Sequence, residues 1–104
     1  MPLSRLTIKA ATQMALAQVD IEPSSTGRWW VVRCRHHGRK EVLTGEWTKA
    51  AAQAKKRERR IFLALLLLAF DEAVADRLAR AANDDARDWR KVVAAHVERR
   101  HLCG

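Results

Sequence analysis

Cys34 and His36 stand two residues apart, and His101 and Cys103 repeat the pair in reverse order. Four thiolate and imidazole ligands satisfy a tetrahedral zinc ion, and residues two apart in a strand face the same side, so the first pair is geometrically able to share a metal. The spacings are not those of the common structural zinc motifs, and the second pair falls on a glycine-ended tail expected to fray. No metal or cofactor is therefore expected. Cys34 reads as a packed thiol, His37 as a surface residue, and His96 as a core histidine on an apolar helix face. Asp84, Asp85 and Asp88 lie where a helix begins, and acids there serve the helix dipole. No hydrolytic triad, phosphate-cradling glycine loop or paired-carboxylate site occurs, and four glycines in 104 residues leave little loop to shape a pocket. The chain is not expected to be an enzyme.

The chemistry that remains is charge. The net charge is +8 and the pI near 10.5, which points to a polyanionic partner. Residues 28–47 carry Arg28, Arg33, Arg35, Arg39 and Lys40 against Glu41 and Glu46. Residues 48–60 carry Lys49, Lys55, Lys56, Arg57, Arg59 and Arg60 against Glu58 alone. These two segments hold the whole excess. Basic residues beside aromatic ones suit a surface that follows a phosphate backbone and stacks on bases, without specifying a base. The candidate nucleic-acid contacts are Arg28, Trp29, Arg33, Arg35, Arg39, Lys49, Lys55 and Lys56.

The elements that must position them follow from periodicity. Residues 4–19 carry Leu6, Ala10, Met14 and Ala17 at helical spacing, joined by Leu3 and Ala11 on the same broad side, with Ser4 as cap. Residues 20–27 hold Pro23, two serines and Gly27, and read as a loop. Residues 28–36, with Trp29, Trp30, Val31 and Val32, read as a strand; His37 and Gly38 turn the chain, and residues 40–44 return. A two-residue turn sets Cys34 opposite Glu41, Val32 opposite Leu43 and Trp30 opposite Gly45. Arg33 and Arg35 then share a face with Trp29 and Val31. Thr48 caps a central helix with no proline or glycine as far as residue 82. Residues 83–85 precede a last helix over 86–100, with Trp89, Val92, Val93, His96 and Val97 on its apolar face. The fold class is α+β and mostly helical: an N-terminal helix, a two-stranded β-hairpin, a long central helix and a C-terminal helix, in one small basic domain over residues 1–104.

The order helix, hairpin, basic helix resembles a double-stranded RNA-binding domain. The resemblance rests on Gly45, Thr48, Lys49, Ala50, Ala51, Ala52, Ala54, Lys55 and Lys56. It departs from that pattern in lacking a third strand and in a far longer helix, and no family is adopted on it.

Residues 61–70 are apolar without interruption, a run too short for a membrane span, so a helix there must be covered on every side. One answer is a homodimer or higher oligomer through Leu63, Leu66, Leu67 and Phe70. The other is a break near Asp71 that lets the chain fold back over its own leucines. No secretory h-region is visible in residues 1–18, and two cysteines fit a reducing, cytoplasmic setting. Fourteen arginines against six lysines, abundant alanine and no tyrosine hint at a GC-rich bacterial or phage gene. The expected function is a small basic nucleic-acid-binding accessory or regulatory protein of low sequence specificity. Its rival is a protein-binding module, such as a small phage or mobile-element inhibitor docking on a host complex.

Overall fold

A computed structural model of the chain describes residues 7–35, 41–46, 48–82 and 88–103, with backbone alone for 41–44, 46 and 101–103. The order is α1 (Ile8–Gln18), β1 (Val19–Pro23), β2 (Trp30–Cys34), β3 (Glu41–Glu46), α2 (Lys49–Leu67), α3 (Glu72–Ala81) and α4 (Trp89–Cys103). The mostly helical α+β architecture is as the sequence predicts. The turn at His37 and Gly38, the Ser4 cap and the cap candidates at 83–85 lie outside the described residues.

Four details depart from expectation. The first is β1. Residues expected to form a loop instead pair antiparallel with β2, so the sheet has three strands in the order β1-β2-β3. The reason lies in the alternation V-D-I-E: Val19 is buried and Ile21 packs against the core, while Asp20 and Glu22 stay exposed. That is the period of a half-buried strand. Pro23 ends β1 at the sheet edge, where its missing N–H costs no ladder bond. The connection to β2 then closes on itself, with Ser24 N–H donating to Trp29 O at 2.8 Å and Gly27 N–H to Ser24 O at 2.9 Å. Gly27 sits at φ 71°, where a side chain would be strained.

The second is register. Cys34 pairs with Glu41 as expected, but a bulge at Val32 and Arg33 leaves Leu43 as the extra residue. Beyond it Val32 meets Thr44, and Trp30 meets Glu46, each one residue later than a simple hairpin requires.

The third is the central helix, which does not run on toward residue 82 but ends at Leu67, as the alternative of a break near Asp71 has it. Ala69 takes φ 68°. Its N–H donates to Leu66 O at 3.0 Å, and the Phe70 N–H reaches back to Leu65 O at 3.0 Å. These two bonds make a Schellman cap, in which the left-handed position is usually glycine. An alanine there hides the stop. Asp71 then caps α3, its carboxylate accepting from Ala73 N–H at 3.1 Å and Val74 N–H at 3.3 Å. Arg100 secures the break from α4, donating to Leu68 O at 2.9 Å with its guanidinium 4.1 Å from the Phe70 ring centre.

The fold-back accounts for the apolar run. Ile61, Leu63, Ala64 and Leu65 are fully buried together with Val19, Val32 and Val93. Burying each large side chain is worth about 1.5–3 kcal/mol. Leu63 therefore lies inside the chain's own core rather than on a face awaiting a second copy. Leu67 and Phe70 are half-buried against that core, and Leu66 is half-buried outside it. Leu67 and Phe70 do not continue a single helical stripe into Val74 and Leu78, because the chain reverses between them.

The fourth is the face of α1. Ala11, on the predicted side, is buried with Thr12 and Ala15 while Met14 is 37% exposed, so the packed stripe is rotated from the one read through Ala10, Met14 and Ala17. Small residues on that face let α1 lie close to α2. Its cap is Thr7, whose Oγ1 accepts from Ala10 N–H at 3.0 Å. The last helix matches its predicted face, with Trp89, Val93 and Val97 buried, but continues to Cys103 where fraying was expected.

Candidate polyanion-binding surface

Val32 and Cys34 point from β2 into the core, so by alternation Trp29, Val31, Arg33 and Arg35 belong to the face turned away from the helices. Trp29 is 36% exposed. Its indole lies across β3 at Gly45, where an added Cβ would stand 3.4 Å from Cδ1 and 3.6 Å from Nε1. Gly45 therefore gives the ring a flat seat. Arg28 and Arg35 are exposed, and the Arg35 backbone N–H extends the sheet by donating to Gln18 O at 2.8 Å.

The unforeseen strand changes the charge of this face. Asp20 is the register partner of Arg33, and Glu22, that of Val31, forms a close ion pair with the Arg33 guanidinium. Arg33 is thus neutralised locally and held by β1, whereas Arg28 and Arg35 make no ion pair among the described residues. Arg39 lies outside the described residues.

The basic run of α2 divides between two sides of the helix. On one side Lys55 Nζ lies 2.9 Å from Glu58 Oε2. Arg59 lies 3.6 Å from the same carboxylate, 2.6 Å from Asp76 Oδ1 on α3, and 4.5 Å from the Phe62 ring centre. Glu58 is only 4% exposed, and a buried carboxylate requires such partners. The two hydrogen bonds from Arg59 and Arg80 hold the Asp76 carboxyl below its ordinary range, against a small opposing effect of burial. Lys55, expected at the nucleic-acid surface, is here a partner of Glu58.

On the other side Lys49, Lys56 and Arg60 fall seven and eleven residues along one helical line. Lys49 Nζ lies 5.5 Å from the Trp30 ring centre. Burial pushes the Lys56 ammonium below its ordinary pKa, and Arg60, Arg57 and Lys49 reinforce the shift while Asp20 opposes it. Burial likewise lowers Arg60, with Arg90 adding to the effect and Asp20 opposing it. Arg60 and Arg90 both approach the Trp89 ring, at 6.0 and 5.6 Å from its centre. Among the described residues five cations thus converge here with one nearby carboxylate, Asp20. Lys49 and Lys56 were expected at a binding surface; Arg57, Arg60 and Arg90 were not singled out. The seven- and eleven-residue spacing was a signal for Arg60, whereas Arg90 joins only because α4 packs on α2.

The structure does not bring the zinc candidates together as a described cluster. Cys34 is buried toward the core, His36 lies outside the described residues, and His101 and Cys103 are described by backbone alone, in α4. Among the described residues no group of three metal-ligating side chains occurs, and no helix is long and apolar enough to cross a membrane. No protein-family model, curated protein or solved structure matches the chain.

Proposed function

We propose that this protein binds nucleic acid through its backbone phosphates, with little sequence preference and without catalysis. The observation that supports this is the row Lys49, Lys56, Arg57 and Arg60, reached by Arg90 from α4, with Asp20 as its nearby counter-charge. Like charges held this close lower one another's affinity for protons and oppose folding; a polyanion laid along them relieves the repulsion and releases its own counterions. Arg28 and Arg35 extend the positive field to the sheet. The cytoplasm is the proposed compartment, since it offers both nucleic acid and a reducing setting for Cys34.

Salt dependence tests the proposal. If Arg28, Lys49, Lys56 and Arg57 each displace a counterion, log K falls with log salt at roughly −3 on single strands and nearer −4 on duplex DNA. Lys49→Glu with Lys56→Glu removes most of the binding and about two units of slope. Binding insensitive to salt, or unaffected by that double variant, overturns the proposal. Met14 and Leu16, exposed at 37% and 38% on α1, favour the rival reading of a protein-docking module, whose partner capture would resist salt.

A further inference from the structure

We infer that the nucleic acid bound is double-stranded, held by its phosphates on the patch that α2 and α4 build together, with no base stacked on the protein. The inference rests on the polyanion-binding proposal and adds the class of strand. Each aromatic ring among the described residues is already engaged. Trp30, Phe62 and Phe70 are half-buried, with Lys49, Arg59 and Arg100 over them at 5.5, 4.5 and 4.1 Å from the ring centres. Trp89 is buried and has Arg60 and Arg90 at 6.0 and 5.6 Å. Trp29 lies against Gly45 and makes an interaction of its own. Proteins that favour single strands take successive bases on open rings, each stack strengthening binding about 5- to 150-fold. A surface whose rings are engaged within the fold forgoes that gain and offers charge instead. A duplex carries charge twice as densely, one per about 1.7 Å of axis against about 3.4 Å for each strand.

The cations are laid out as a patch rather than a line. α2 holds Lys49 and Lys56 in a row, about 10 Å apart at 1.5 Å per residue, with Arg57 beside Lys56. Arg90 enters from a second helix, exposed, over the ring that it shares with Arg60. None of Lys49, Lys56, Arg57 and Arg90 forms an ion pair among the described residues. A single strand following the α2 row meets one line of cations. A duplex presents two phosphate backbones across a minor groove about 6 Å wide, and so has phosphates for both helices at once. It is also stiff over about 150 base pairs, whereas a flexible strand must first be ordered against a row that the helix holds rigid. Phosphates are common to DNA and RNA, so the ligand class is a duplex of either kind.

The test uses the full chain with fluorescein-labelled DNA and RNA duplexes of about 20 base pairs and with oligo(dT) and oligo(U) of the same length, at about 50 mM salt. With four counterions released, the slopes of log K against log salt differ by about 0.8 between duplex and single strand. Taking equal affinity at about 1 M, that difference makes duplex binding about tenfold tighter at 50 mM. Arg90→Gln, with circular dichroism unchanged, should weaken duplex binding by about 10- to 15-fold, the loss of one phosphate contact, and single-strand binding by less than about threefold. Arg90→Lys, which keeps the charge, should restore most of the duplex binding. Single strands bound as tightly as duplexes, or a loss in Arg90→Gln equal on both, overturns the inference. If either occurs while Lys49→Glu with Lys56→Glu abolishes binding to every probe, the strand class fails and the electrostatic reading stands. If no probe binds at low salt, both fail. Preference for either duplex over its single strand supports the inference, and comparison of the two duplexes separates DNA from RNA.

Discussion

Arg60 closes the end of α1 by donating Nε and Nη2 to a single acceptor, Val19 O, at 3.1 and 2.9 Å. Nη2 also reaches Leu16 O at 3.2 Å. The last carbonyls of a helix have no partner of their own, and here a guanidinium from a residue forty-one positions later supplies one. A side chain that looks from sequence like part of a phosphate-binding run therefore spends its donors on the fold.

Arg60→Met, which keeps the apolar stem, is expected to lower unfolding free energy by about 2–3 kcal/mol, the scale of a charge-assisted bond to a buried carbonyl. Arg60→Lys should recover less than half, because an ammonium cannot present the same fork. Urea denaturation measures both. An unchanged midpoint in Arg60→Met would show that α1 is held by packing alone.

Ala69→Gly should stabilise the protein. A non-glycine residue at φ 68° costs roughly 1–2 kcal/mol, against about 0.5–1 kcal/mol for the greater freedom of glycine in the unfolded chain. The net gain of roughly 0.5–1 kcal/mol should appear as a raised Tm. A lowered Tm would mean that the cap after Leu67 does not depend on the left-handed position.

His96 makes stability depend on pH. Burial lowers its pKa, and Arg99 lowers it further; Asp88 and Lys91 line the same groove between α3 and α4. The folded protein thus takes up a proton at His96 less readily than the unfolded chain, so the contribution is full above about pH 6.5 and is lost as pH falls below it. His96→Gln should flatten the Tm profile between about pH 6.5 and 5 relative to the parent chain. A parallel profile would remove His96 as the cause.

Because Leu63 is fully enclosed by its own chain, sedimentation equilibrium should find one species near 11.8 kDa. Leu63→Glu should unfold the protein, since it buries an unpaired charge. Leu66→Glu, at a half-buried position outside the core, should leave the fold intact. A dimer split by Leu66→Glu would reinstate pairing through α2.

The split of the charge excess into residues 28–47 and 48–60, the amphipathic face of α4 and the Thr48 cap were legible because each depends on local order alone. Thr48 Oγ1 accepts from Ala51 N–H at 3.0 Å, as its place before an uninterrupted helical pattern implies. Cys34 opposite Glu41 was likewise legible from turn length. The end of α2 was legible only as the alternative of a break near Asp71, because its left-handed position carries alanine and the Schellman bonds and Arg100 make the stop worthwhile. β1 was not legible, since Val19 and Ile21 become strand residues only when β2 lies beside them and α2 covers their inner side. The roles of the cations were decided by the same tertiary facts. A charge in sequence is a free charge until a partner is brought to it: Glu22 comes to Arg33 across the sheet, Asp76 to Arg59 from α3, and the carbonyls of Leu16 and Val19 to Arg60. Among the described residues, packing brings Lys56 mainly other cations, with Asp20 opposing them.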